Sequence, residues 1–340
     1  MKKLRVAIIG YGGIARVHNV AYHKLVSEGY PIELVAVCER DISRITAVLD
    51  FNLGNTVLPL PEGTHLYSDV DELIAKEEFD IADICLPTFL HKDVAVKLMS
   101  AGKHVMCEKP MALSSWDCDE MIGVARANGV RLMVAHCLRF DAPYVFLKEC
   151  IDEGRFGALD NLYLDRHSVY PTWGAGKVFD DNKKTGGCAL DTHIHDIDVA
   201  RYLLGEPKAV SAVEFNKPPM YQVVTTVLHY EGATVLANGT WDSAYDVTFR
   251  CGYRARFERA SVVYEDFKVK VVPVDGEPYS PELPTPDYTA EEISCFADWV
   301  RDAESDNLKC PPESSAASVR LVERLRESAA RGGERLDWLE

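Results

Sequence analysis

The stretch Gly186-Gly187-Cys188-Ala189-Leu190-Asp191-Thr192-His193-Ile194-His195-Asp196-Ile197-Asp198 gathers two imidazoles and three carboxylates. Such groups suit either a zinc or iron ion or the handling of protons. Helical geometry separates the two. Asp191 and His195 are four residues apart and fall on one helical face, which Asp198 and Tyr202 extend. His193 and His195 are two apart, roughly 200° around a helix axis, so they cannot easily hold one ion. No metal is expected, and His193 is expected as a satisfied histidine on the far side. Leu190, Ile194, Ile197 and Leu204 recur at helical spacing beside the reactive stripe, which places the chemistry on a packed helix ended by Gly205 and Pro207. A second candidate is Lys109 in Glu108-Lys109-Pro110, where proline pins a lysine at the end of the apolar run His104 to Cys107.

These side chains need elements to position them. Leu4 to Ile9 reads as a strand buried on both faces. It ends in Gly10-Tyr11-Gly12-Gly13-Ile14-Ala15, a GxGxxA turn. The first glycine permits the bend, the second lets backbone approach a pyrophosphate, and Ala15 lets the next helix pack close. The helix amides then face the phosphates. A second strand, Ile32 to Cys38, ends at Glu39, whose carboxylate can accept both adenosine ribose hydroxyls and would repel a 2′-phosphate. NAD is therefore expected over NADP, although the neighbouring Arg40 is a group that can accommodate that phosphate.

Residues 50–66 read as an irregular connection, Asp71 to Lys76 as a short helix, and Ile81 to Leu86 as a strand stopped by Pro87. Ligands of a doubly wound sheet bind outside the carboxyl ends of its strands. Leu86, Pro87, Thr88, His91, Glu108 and Lys109 are thus expected around the cofactor, with Tyr11, Gly12, Gly13 and Ile14. A capping box at Ser114 opens a helix that Gly129 ends, and Arg131 to Ala135 is the last strand of a full six-stranded dinucleotide-binding sheet.

The style changes after Gly157. Long strands are expected at Leu159 to Val169, Ala209 to Phe215, Gln222 to His229, Thr234 to Trp241 and Val247 to Cys251, with two more around Ala260 to Val274. They imply an α+β domain with a large, open, mostly antiparallel sheet, a surface that invites association of chains. Helices follow at Ala290 to Asp302 and Ser314 to Ala330. The division expected is an α/β Rossmann domain over 1–140 and an α+β domain over 141–340, with the C-terminal helices packing back on the first.

The chain has 340 residues, 47% hydrophobic and 26% charged, as a soluble two-domain protein should. The opening Met1-Lys2-Lys3-Leu4-Arg5 lacks a leader pattern and no apolar run reaches membrane-spanning length, so a cytoplasmic protein is expected. Its ten scattered cysteines read as reduced thiols. A net charge of -16 without a basic stripe excludes nucleic acid.

The GxGxxA turn, Glu39, Glu108-Lys109-Pro110 and Gly186-Gly187 followed by Asp191 and His195 together resemble the glucose-fructose oxidoreductase and inositol dehydrogenase (Gfo/Idh/MocA) family over nearly the whole chain. The resemblance implies an oxidoreductase acting on sugars or cyclitols and a dimer or tetramer built through the open sheet. It implies that Lys109 hydrogen-bonds the reacting hydroxyl, that His195 takes its proton as general base, and that Asp191 aligns the pair. Arg139, in His136-Cys137-Leu138-Arg139-Phe140, is then expected to face substrate, and Trp173 to stack on a sugar ring. Thr88 stands where many members carry asparagine, and His193 where some carry glycine. Two other functions fit the same motifs: cleavage of glycosides by transient oxidation with NAD retained, and non-catalytic dinucleotide sensing, against which the intact Lys109, Asp191 and His195 speak.

Overall fold

A computed structural model of the chain describes residues 2–47, 58–172, 175–244, 249–285, 287–302 and 308–338. Two compact units divide it. The first comprises Met1–Cys137, Trp173–Val178 and Pro286–Ala316, the second Leu138–Thr172, Phe179–Thr285 and Ala317–Glu340.

In the first unit β1 (Leu4–Ile9), α1 (Gly13–Ser27), β2 (Ile32–Cys38), β3 (His65–Tyr67), α2 (Val70–Lys76), β4 (Ile81–Ile84), α3 (His91–Ser100), β5 (His104–Glu108), α4 (Ser115–Ala127) and β6 (Leu132–Ala135) follow in order. The six strands pair in parallel in the order β3-β2-β1-β4-β5-β6. This doubly wound order reverses at β1 and β4, whose carboxyl ends carry Gly10 and Leu86. Val6, Ala7, Ile8, Val37, Ile84, Val105 and Val134 are fully buried, as helices on both sheet faces require. The third strand falls in the stretch read as irregular. It is three residues long with two of them exposed, so no apolar run marks it.

The second unit begins with α5 (Ala142–Asp152) and β7 (Leu159–Ser168), then α6 (Asn182–Thr185), α7 (Gly187–Asp191) and α8 (Ile194–Leu204). β8 (Ala209–Lys217), β9 (Tyr221–His229), β10 (Thr234–Asp242), β11 (Phe249–Phe257), β12 (Ala260–Glu265) and β13 (Lys268–Pro273) join β7 in its main sheet. α9 (Tyr288–Arg301) belongs to the first unit, where the Tyr30 hydroxyl, at the end of α1, donates to Asp298 at 2.5 Å and Arg301 donates to the Pro31 carbonyl at 2.6 Å. α10 (Pro312–Ala330) and the short β14 (Leu336–Asp337) end the described chain. The eight strands run β13-β12-β11-β7-β10-β9-β8-β14. All neighbours are antiparallel except β7 and β10, which pair in parallel over eight residues. β11 starts at Phe249, and 245–248, where its start was expected, lie outside the described residues. Strict alternation along β9 buries Gln222, Val224, Thr226 and Leu228 on the face that packs on α7 and leaves the other face part-exposed. Among the described residues no helix is long and apolar enough to cross a membrane, and all ten cysteines are free thiols.

Candidate active site

Gly10 holds φ at +86°, and a Cβ there would lie 2.7 Å from the Leu86 side chain and 3.0 Å from the Cys85 carbonyl, so the bend between β1 and α1 needs a bare backbone. At Gly12 a Cβ would meet nothing within 4 Å, so protein packing does not require that glycine. A bare backbone facing open space is what an approaching pyrophosphate needs. Gly12, Gly13 and Ile14 are part-exposed, whereas Tyr11 and Ala15 are buried. Glu39 is 8% exposed, and its carboxylate accepts the Tyr11 N–H at 2.8 Å and the Asp41 N–H at 3.1 Å, one on each oxygen. The acid is thereby fixed against the glycine turn with lone pairs left for a diol. Arg40 is exposed. This turn, its acid and the start of α1 fit an adenine dinucleotide.

Leu86 and Pro87 are part-exposed at the end of β4, and Thr88 is buried. His91 and Glu108 differ from expectation. His91 is 1% exposed, and its ring nitrogens lie 2.9 Å from the Pro110 carbonyl and 2.7 Å from the Leu86 carbonyl. It ties two crevice loops together instead of presenting a face to a cofactor, and burial holds its pKa below the usual value. Glu108 also points inward, one oxygen at 3.0 Å from His18 and the other accepting the Lys109 N–H at 3.1 Å. Lys109 itself is part-exposed within the buried run Val105 to Ala112.

In the second unit Gly186 and Gly187 both take positive φ, +74° and +60°. A Cβ on Gly187 would sit 2.5 Å from Gln222 Oε1, the atom that accepts the Cys188 N–H at 2.9 Å. Gln222 is fully buried and donates to Asn182 Oδ1 at 2.9 Å, and Arg326 donates to the Gly186 carbonyl. The entry into α7 is thus held from β9 and α10. The single helix expected here is two. The His193 N–H reaches back five residues to the Cys188 carbonyl, and the ladder restarts in α8. The break re-aims His193. It packs against Gly239 of β10, where a Cβ would come 2.9 Å from its Nδ1, and its Nε2 lies 3.1 Å from the Thr226 hydroxyl. Burial and the Arg166 guanidinium pull its pKa down to about 3. His193 is a neutral core residue, with its Nε2 bonded and its Nδ1 without a hydrogen-bond partner among the described residues. Between Thr185 and Arg201 every residue is buried except Asp191 and His195. Next to Asp191, Thr192 accepts the Trp241 indole N–H at 2.7 Å.

Arg139 also departs from expectation. It is 3% exposed and forks onto Asp198, Nε to Oδ2 at 2.8 Å and Nη2 to Oδ1 at 2.7 Å, so its guanidinium braces α8 instead of opening toward substrate. Asp196 is held likewise by Arg166 of β7 at 3.1 and 3.0 Å. Trp173 lies outside the described residues. Sequence reasoning missed His18, Gln222 and Arg166. The only signal for the last two was a polar residue at an inward position of an alternating strand.

Residues 4–136 match the oxidoreductase family with NAD-binding Rossmann fold of the GFO/IDH/MocA group, and residues 144–262 match the GFO/IDH/MocA C-terminal domain. A 2,7-anhydro-N-acetylneuraminate hydratase of Mediterraneibacter gnavus is 32% identical over 49% of this chain and 44% of its own length. An inositol 2-dehydrogenase of Salmonella typhimurium is 32% identical over 66% of this chain and 61% of its own. The chain thus spans about half of the length of these relatives. An inositol dehydrogenase homologue from Azotobacter vinelandii, solved with NAD+, shares the fold with a TM-score of 0.82 at 18% identity, covering 99% of this chain and 97% of that one.

Proposed function

Because the chain belongs to the GFO/IDH/MocA oxidoreductase family, we propose that it transfers a hydride between NAD and a secondary hydroxyl of a sugar, cyclitol or related polyol. The observation that carries this reading is selective exposure. Lys109, Asp191 and His195 are the reactive side chains that reach solvent in two otherwise buried runs, Val105 to Ala112 and Thr185 to Arg201. The bound nicotinamide supplies the hydride acceptor. Lys109 hydrogen-bonds the reacting hydroxyl and favours its developing negative charge. His195 takes the hydroxyl proton, because the carbinol carbon gives up hydride readily only as its oxygen is deprotonated, and Asp191 aligns the imidazole. Glu39 on the glycine turn supports NAD over NADP. The part-exposed face of the main sheet, with Val213 and Phe215 at 41% and 61% exposure, supports a homo-oligomer through that face.

The test is NADH absorbance with a panel of sugars and inositols. Activity with a polyol, lost in His195→Ala at near wild-type NAD affinity, is expected. A protein that binds NAD but reduces it with no member, or a His195→Ala variant with unchanged turnover, refutes the reading. Similarity to a protein named a hydratase favours a second reading, transient oxidation and elimination with NAD retained. Cofactor that survives purification and cleavage without net NADH would distinguish it.

A further inference from the structure

Beneath the glycine turn lies a buried charged cluster to which the reaction assigns no role. His18, on α1, is 1% exposed. Its Nδ1 is 2.8 Å from Asp83 Oδ2 on β4, and its Nε2 is 3.0 Å from Glu108 Oε1 on β5. Asp83 is fully buried; the Tyr22 hydroxyl donates to the same Oδ2 at 2.9 Å, and the Cys85 thiol faces Oδ1 at 3.7 Å. Glu108 accepts the Lys109 N–H on its second oxygen at 3.1 Å. Both carboxyl groups therefore act as acceptors, as ionised carboxylates do. A neutral imidazole has one N–H, so a ring that faces two carboxylates with both nitrogens must carry two.

The charge follows from that geometry. Burial alone would pull the His18 pKa down, but Asp83 holds it well above the usual value. Burial would push Glu108 up, and its hydrogen bond and charge contact with His18 hold it below the carboxylate range. Burial and Asp83 push the Cys85 thiol up to about 12, and Cys107 is likewise raised, so the facing thiols stay protonated. His18, Asp83 and Cys85 offer donor atoms within 4.8 Å of one another, a spacing that could hold a metal. Both ring nitrogens are already engaged by Asp83 and Glu108, which leaves the imidazole no lone pair for an ion and makes this a hydrogen-bonded network instead.

We propose that His18 is a positioning residue that, through Glu108, fixes the turn presenting Lys109. The inference rests on the assignment of Lys109 to the reacting hydroxyl. Glu108 anchors the Lys109 N–H, and His91 holds the carbonyl of Pro110 on the other side. The lysine backbone is clamped before and after its side chain. His18 is the hub because, from α1, it bonds to both β4 and β5.

The test uses the full chain labelled with 15N-histidine, alone and as His18→Gln and Glu108→Gln. One imidazole keeps the two-proton nitrogen signature after the other histidines have titrated, and that signal is missing in His18→Gln and titrates at lower pH in Glu108→Gln. In both variants the Lys109 amide exchanges with deuterium at least tenfold faster, while NADH affinity by fluorescence stays within threefold. On any polyol that the wild type oxidises, kcat falls more than tenfold with KM little changed. No histidine retaining its second proton after the others have titrated, or unchanged exchange at Lys109 in both variants, overturns the proposal. A wild type that oxidises no polyol refutes the proposed function instead, and the exchange and nitrogen measurements still decide the role of His18.

Discussion

Removing the carboxylate of Asp198 should strand the guanidinium of Arg139. The pair is bidentate, at 2.8 and 2.7 Å, between residues 3% and 1% exposed. Deleting one member of a buried pair leaves an uncompensated charge and costs about 3–5 kcal/mol. Asp198 Oδ1 also accepts the Ser318 hydroxyl at 2.8 Å, and Ser318 in turn accepts from Arg201 at 2.7 Å, so losing that acceptor adds about 1 kcal/mol. Asp198→Ala should therefore cost about 4–6 kcal/mol, a large share of the ~5–15 kcal/mol that holds a domain folded. Urea unfolding followed by circular dichroism measures it. The double variant Arg139→Met with Asp198→Leu removes both charges and keeps apolar volume, and should recover to within about 2 kcal/mol of wild type. A single variant that costs less than about 1 kcal/mol, or single costs that simply add in the double, refutes the buried-pair reasoning. The double variant also tests the correction made for Arg139. If it folds with wild-type kcat but its KM for a polyol rises more than about tenfold, the guanidinium touches substrate after all.

Gly187→Ala should lose about 2–4 kcal/mol by the same assay. It forces alanine to φ +60° and drives a Cβ to 2.5 Å from Gln222 Oε1; a loss below 1 kcal/mol would mean that Gln222 is not seated under α7. His193, with its pKa lowered to about 3 by burial and Arg166, binds its proton more weakly folded than unfolded. Its contribution to stability is present above about pH 6.5 and is lost as pH falls toward 3, at about 1.4 kcal/mol per pH unit. Unfolding free energies from urea titrations between pH 7 and 4.5 should fall by about 2–3 kcal/mol more in wild type than in His193→Asn, and parallel curves would refute the assignment.

The first unit was legible because parallel strands covered on both faces leave unbroken apolar runs, and because the glycine turn and Glu39 lie at fixed offsets from them. The strands of the second unit were legible from alternation. What stayed hidden depends on hydrogen bonds between distant residues. β3 and β14 are too short to carry a period. Nothing local distinguishes the parallel pairing of β7 with β10 from an antiparallel one. The break between α7 and α8 keeps helical backbone angles at both Thr192 and His193, so only the slipped hydrogen bond of His193 reveals it. His91 and Glu108 occupy the expected crevice but turn inward, a choice made by partners 19 and 90 residues away.

The number of buried charges around α8 has a geometric reason. A buried ion pair contributes little net stability, because desolvation offsets its attraction. Asp196 and Asp198 are two residues apart, roughly 200° around the helix axis. Arg166 therefore grips one side of α8 from β7, and Arg139 grips nearly the opposite side. One anchor would let the helix pivot, whereas two forked anchors on opposed faces stop it from rotating or sliding. Each fork fixes an angle as well as a distance, which a lysine could not do. Apolar packing by Ile194 and Ile197 holds α8 against the sheet but tolerates small rotations. Rotation about that axis would carry the imidazole of His195, the part-exposed residue between the buried Ile194 and Asp196, away from any fixed proton donor. The arginine pairs thus set the direction of the candidate base, while the hydrophobic contacts set its depth.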